Sequence, residues 1–289
     1  MNNIFKTVFL LSLLTVLLVL LGRSAGGDSG MLAAFAAACV MNFGAFWFSD
    51  KIVLGLYRAQ RVTEAEAPEF FSIVSELASR AKVPMPALYV IPSASPNAFA
   101  AGRDPAHAAV AVTAGILELL NREELEGVLA HEMTHIVHRD TLTAAIAAVL
   151  AGAISMLASG IRWTFLLAGG NRKQNAHSSG SNPLGTLLAA MILPAAALLI
   201  QLAISRTREY EADRGGGELC GNPLYLASAL RKLESSARKL PMRQAEPATA
   251  HLFIINPLKP GGFETLFLTH PRTEDRVERL AQMAREKGL

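Results

Sequence analysis

The run His131-Glu132-Met133-Thr134-His135 sets two imidazoles one helical turn apart, with a carboxylate next to the first. On an α-helix, positions i and i+4 share a face, so both rings can reach one metal ion while Glu132 addresses a water beside it. Two neutral imidazoles and a nearby carboxylate are what zinc-assisted hydrolysis of a peptide bond needs. The plain alternative is an amphipathic helix carrying two surface histidines. The chemistry further requires a helix at this point, a third ligand and a place to work.

Asn121, followed three residues later by Glu124, reads as a capping box ahead of the apolar residues Leu125, Val128 and Leu129. From that cap the spacing predicts an unbroken helix through His135 to Asp140, with Gly127 as its weak point.

The composition indicates where this helix operates. Of 289 residues, 51% are hydrophobic and 18% charged, and the mean hydropathy is +0.31, too apolar for an ordinary soluble domain. Stretches at 4–21, 31–48, 142–157 (continuing past Gly160) and 184–204 are long and apolar enough to span a bilayer. Lys6 lies near an end and can snorkel, and Asn42 is the strongly polar side chain of the second stretch. Pro194 interrupts the fourth, and the third is rich in Ala, Gly and Ser, so either can equally be a re-entrant helix. Ser24-Ala25-Gly26 offers small residues for signal cleavage, but a positive leader is nearly absent and a second span follows at once, which favours an anchored hairpin. Lys6, Lys51, Arg58, Arg61, Arg139, Arg206 and Arg208 then fall on the side of the motif, against Arg23, Arg162, Arg172 and Lys173 opposite. This bias places the motif in the cytoplasm. A net charge of +3 and a pI near 9.0 suit an anionic leaflet, and no basic-aromatic clustering points to nucleic acid. Cys39 and Cys220 form neither a disulfide framework nor a metal pair and read as reduced packing residues.

Between the second span and the motif, Pro68 opens a helix over 68–81. Short strands are expected at 88–91, 97–101 and 109–113, and a short helical approach at 115–120. A peptide substrate is readily held as an added strand on a sheet edge. Asn97-Ala98-Phe99-Ala100 or the segment 109–113 offers such an edge, and a purely structural hairpin reads equally well. The segment 169–183 reads as a flexible connection on the opposite side, and 241–262 as either a lid or a linker.

Two successive crossings return the chain to the side it left, so the segment after the fourth span emerges at the depth of the motif helix. There Glu209 and Asp213 share a helical face while Glu211 points away. Glu209 is therefore the expected third zinc ligand and Asp213 the acceptor for an imidazole N–H. An ordinary solvated charge run is the competing reading. His138 lies one further turn along and reads as a local polar contact. His107, His177 and His251 lack motif context and read as surface or loop residues.

Taken together, the N-terminal hairpin, Ser95-Pro96-Asn97-Ala98-Phe99-Ala100, the His-Glu-x-x-His run with Asp140, the second apolar hairpin, Glu209-x-x-x-Asp213 and Thr269-His270-Pro271 resemble the HtpX-type membrane zinc metallopeptidases, relatives of the prenyl-protein peptidases. The resemblance covers essentially the whole chain. It departs at Arg272, where a second proline is common in such proteins. It implies one zinc ion on His131, His135 and Glu209, Glu132 as general base, and Asp213 and Asp140 in support. It also implies that His270 stabilises the oxyanion, at a site facing the cytoplasm of a bacterial inner membrane. The implied role is quality control under stress, with misfolded or damaged membrane proteins as substrates; a chaperone or protease partner is left open.

The expected fold is an α-helical membrane protein with about four membrane-embedded helices and a compact, mainly α (α+β) zincin-type domain. Its parts are the hairpin 1–50, a catalytic part 51–141, a second hairpin 142–204 and a second catalytic part 205–289. The rival classes are a membrane scaffold with structural zinc, which would prefer a closed site with Cys and leave Glu132 without a task, and a prenyl-protein-type processing peptidase.

Overall fold

The structure is a computed structural model and describes residues 3–154, 206–242, 245–246, 248–257 and 271–289. Most of the second apolar hairpin, the segment 169–183, His177 and His270 lie outside the described residues.

The first helical element, α1 (Asn3–Leu56), is two helices joined at Gly26 and Gly27, where Gly27 takes φ 59°, a conformation natural only to glycine. Each half, Phe5–Ser24 and Gly26–Leu56, is long and apolar enough to cross a membrane. The halves lie side by side, with Asn42 Nδ2 donating to Thr15 Oγ1 at 2.9 Å, so the amide N–H of the second span finds its acceptor on the first. Phe35, Phe43 and Val40 point outward and exposed, a surface that requires lipid. The second helix runs on to Leu56, beyond the expected end at 48. The outer ends of the hairpin are both tied down: Thr7 Oγ1 lies 3.0 Å from Thr143 Oγ1 at the start of the third apolar stretch, and the Tyr57 hydroxyl is bonded to the Thr249 hydroxyl of the catalytic part.

Helix α2 (Pro68–Ala81) buries Phe70, Ile73, Val74 and Leu77, its apolar face, and stops at Lys82 in the left-handed conformation. Strands β1 (Gln60–Arg61), β2 (Ala87–Ile91), β3 (Ala98–Gly102) and β4 (Ala108–Thr113) form one sheet in the order β1-β2-β4-β3. β2 and β4 are parallel, and β3 runs antiparallel to β4. The segment 109–113 is therefore an interior strand with both edges paired, and the edge strands are β1 and β3. The sequence pattern carries no sign of β1, which is two exposed residues long.

After α3 (Ala114–Leu119) comes the motif helix α4 (Arg122–Val137). Its capping box forms as expected, Glu124 N–H donating to Asn121 Oδ1 at 2.9 Å and Asn121 N–H to Glu124 Oε2 at 3.1 Å. The helix does not run to Asp140. It ends at His138, Arg139 adopts φ 57°, and α5 (Asp140–Ile154) leaves at 88°. This bend lets α4 stay in the catalytic core while α5 packs Ile146, Leu150 and Ile154 with Leu10 and Leu14 of the hairpin.

Helices α6 (Arg206–Leu219), α7 (Pro223–Lys239) and α8 (Thr273–Glu286) complete the domain. The cap of α8 is Arg272, without a side-chain bond; Glu274 and Asp275 in its first turn complement the helix dipole instead. Two glycines set the helix spacing at α4. A Cβ on Gly127 would lie 2.5 Å from Leu226 N, and one on Gly216 would lie 2.9 Å from His131 N. Gly127, a weak point by propensity, is thus where α7 crosses, and Gly216 lets α6 lie directly on the metal-binding face of α4.

Candidate metal centre

Residues 131, 135 and 209 converge. His131 Nε2 and His135 Nε2 are 3.2 Å apart, and the Glu209 carboxylate lies 3.8 Å from the first and 3.7 Å from the second. One ligand atom from each lies within 4.8 Å of the others, a spacing that fits a single ion. The rings are aimed by their other nitrogens: His131 Nδ1 lies 3.0 Å from Asp213 Oδ1 and His135 Nδ1 lies 3.1 Å from Asp140 Oδ2. Those contacts hold the protons on Nδ1 and leave the Nε2 lone pairs facing the common centre. Glu209 and Asp213 both come from the buried face of α6, and Glu211 is on its exposed side.

The two carboxylates behind the rings have cationic partners of their own. Arg208 Nη1 donates to Asp140 Oδ1 at 3.2 Å. Arg276, 1% exposed, holds Asp213 with both arms, Nε to Oδ2 at 2.8 Å and Nη2 to Oδ1 at 2.6 Å. Glu132, Glu209, Asp140 and Asp213 thus gather four carboxylates around the centre, two of them paired with Arg208 and Arg276.

Protonation follows the same field. Burial, reinforced by the neighbouring His135 charge and opposed by Asp213, lowers His131 to about 4 and keeps it neutral and ready to ligate. Burial also opposes charge on His135, but Asp140, Glu209 and Glu132 overcome it and raise that group to about 9. Glu132 is pushed up to about 7, chiefly by burial, with Glu209 adding to it against His135 and the Ala100 N–H. Asp213, although buried, is held down at about 2 by Arg276. A cation at the centre favours the deprotonated form of every one of these groups. The donors therefore fit a metal ion.

Beside the centre is a small cavity of about 40 Å³, enough for an ion and a little water, bounded by Ala100 of β3 and by Leu252, Phe253 and Ile254. His251 is in this wall, buried, its Nε2 3.0 Å from the Ala144 carbonyl, so reading it as a surface or loop residue is corrected. His107 is exposed against Asp104 and His138 is exposed at the end of α4, both outside the cluster. Of the substrate-strand candidates, Ala98, Phe99 and Ala100 lie in the edge strand. Asn97 is fully buried and turned to the chain at Ile255, its Nδ2 donating to that carbonyl at 2.8 Å.

A helix bearing two histidines, a third ligand from a crossing helix and a sheet edge alongside define a metallopeptidase centre. The chain belongs to peptidase family M48, whose profile matches residues 64–284. It is similar over nearly its whole length to proteins named Protease HtpX homolog. That of Syntrophotalea carbinolica is 53% identical over 282 residues, covering 97% of this chain and 99% of the relative. That of Syntrophobacter fumaroxidans is 49% identical over 283 residues, covering 98% and 100%. The crystal structure of S. mikatae Ste24p shares the fold, with a TM-score of 0.51 at 18% identity over 96% of this chain and 65% of that one. The HtpX-type resemblance is borne out, and the chain is a membrane metalloprotease that hydrolyses peptide bonds.

The choice of carboxylate has a direct check. Glu209→Ala is expected to lower bound zinc at least tenfold under dilute-metal conditions, and Glu211→Ala to leave it unchanged, as read by metal analysis after gel filtration. Equal loss in both variants would place the third ligand elsewhere on α6.

Proposed function

We propose that the protein is a zinc-dependent endopeptidase that cuts misfolded or damaged membrane proteins at the cytoplasmic surface of a bacterial inner membrane. The observation that carries this reading is the union of the donor cluster with the lipid-facing hairpin, which is bonded at Tyr57 to Thr249 of the catalytic part and at Thr7 to Thr143 of α5, the helix that follows the motif helix. The centre is thereby held close to the bilayer, where segments extruded from it are within reach, and the Lys and Arg bias assigns that face to the cytoplasm.

His131, His135 and Glu209 would hold the zinc. Zinc there supplies a Lewis acid that acidifies water and polarises a carbonyl. Asp213 and Asp140 keep the two rings in the ligating tautomer. Glu132, in the cavity wall, takes the proton from the attacking water as the C–O bond forms, and then delivers it to the amide nitrogen as the C–N bond breaks. The substrate lies along β3, and the resemblance assigns the oxyanion contact to His270.

In vesicles, the zinc-loaded protein is expected to degrade a destabilised multi-pass membrane protein and to spare its stable parent. The cuts, located by mass spectrometry, are expected in loops on the face shared with the N-terminus. Equal degradation of both forms would remove the quality-control reading, and cuts confined to the opposite face would reverse the orientation.

A further inference from the structure

We infer that a substrate pairs with β3 at a single step, between Ala100 and Gly102, because the protein's own segment 250–255 fills the edge beside Ala98. This rests on the reading that substrates add to the β3 edge.

In an antiparallel ladder, alternate residues turn their backbone groups toward the partner strand and away from it. Thr113 N–H donates to the Asn97 carbonyl at 2.9 Å, so Asn97, Phe99 and Ala101 face β4, and Ala98, Ala100 and Gly102 face outward. Three of the six outward groups are taken. The Ala98 carbonyl accepts from Ile254 N–H at 3.1 Å, and Ala98 N–H donates to Asn97 Oδ1, also at 3.1 Å. The Gly102 carbonyl accepts from the Thr141 hydroxyl at 2.8 Å. Among the described residues, the one outward carbonyl left for a substrate is that of Ala100.

The segment beside Ala98 is firmly built in. Asn97 Nδ2 donates to the Ile255 carbonyl at 2.8 Å and Arg276 Nη1 to the Ile254 carbonyl at 2.9 Å. Phe253 is fully buried, edge-on to Phe99 at 5.3 Å and to Tyr57 at 5.0 Å. Displacing it would unseat an aromatic core and strip a carbonyl from a buried guanidinium, so the segment acts as a wall. A substrate beside the metal centre gains one carbonyl and one N–H from β3, and on the Ala98 side it must turn away from the sheet. Recognition through so few backbone bonds leaves the enzyme tolerant of sequence on that side.

The test is an N-methyl scan. A cleavage site is mapped in an unfolded model polypeptide with the full-length, zinc-loaded protein in nanodiscs, and a peptide of about a dozen residues around it is methylated one amide at a time, leaving out the scissile one. One sensitive amide is expected, the donor to the Ala100 carbonyl, with kcat/KM falling about tenfold or more, and the rest are expected to change little. Two or more sensitive amides at alternate positions would overturn the wall while keeping β3 as the edge. Indifference to methylation everywhere would remove the β3 reading itself, and this inference with it.

Discussion

Glu132→Gln is expected to cut peptide cleavage by ~10² to 10⁴ or more while leaving zinc content, fold and substrate binding intact. The substitution keeps the shape of a side chain that is 2% exposed and faces the Ala100 N–H, so little repacking is required. Among the described residues, it removes the only carboxylate in the cavity wall that is neither an expected ligand nor paired with an imidazole. Burial raises Glu132 above the ordinary carboxylate range and so makes it a stronger base, a property an amide lacks. Single-turnover cleavage of a labelled peptide, alongside metal analysis of the same sample, separates the two effects. A zinc-loaded Glu132→Gln protein that cleaves at the unaltered rate would exclude Glu132 as the base.

Arg276→Ala is expected to be the most damaging substitution away from the metal ligands, with a stability loss of about 3–5 kcal/mol. It strands the Asp213 carboxylate at 3% exposure and leaves the Ile254 carbonyl without its donor. It also frees Asp213 to turn away from His131 Nδ1, so metal affinity is expected to fall about tenfold or more. Replacing both charges, as Arg276→Met with Asp213→Asn, is expected to recover much of the stability and less of the metal affinity, since Asn orients the imidazole more weakly than a carboxylate. Urea unfolding in micelles and competition with a chromogenic chelator measure the two quantities. An Arg276→Ala protein of unchanged stability and affinity would mean that the buried pair is incidental.

Arg276 also illustrates what the amino-acid order conceals. His131 and His135 are readable because their partnership is local, four residues apart on one helix, and the Asn121 box that starts the helix is local too. Glu209 and Asp213 are reachable from the expected topology, in which a pair of crossings returns the chain to the side of the motif helix. Arg276 meets Asp213 across 63 positions from within a helix rich in Arg, Glu and Asp, where nothing in the spacing separates it from its solvated neighbours. The wall at 250–255 is likewise silent, because its conformation is set by contacts to Asn97, Tyr57 and Arg276 and not by any periodicity of its own. The bend after α4 turns on Arg139 at positive φ, with no glycine or proline to announce it. Local rules therefore carry the helices, the strands and the motif, and tertiary contacts decide the break, the edge strand and the buried ion pair.

The central claim is that a metal held by His131, His135 and Glu209 makes this chain a protease. The most direct measurement strips the purified full-length protein with a chelator, returns zinc in fractional equivalents and follows cleavage of an unfolded polypeptide alongside metal content. The account predicts no cleavage without metal and recovery that rises linearly to a plateau at one zinc per chain, with no recovery in Glu209→Ala at the same free zinc. Undiminished cleavage by the metal-free protein, or a plateau reached with Glu209→Ala at the same free zinc, would contradict it.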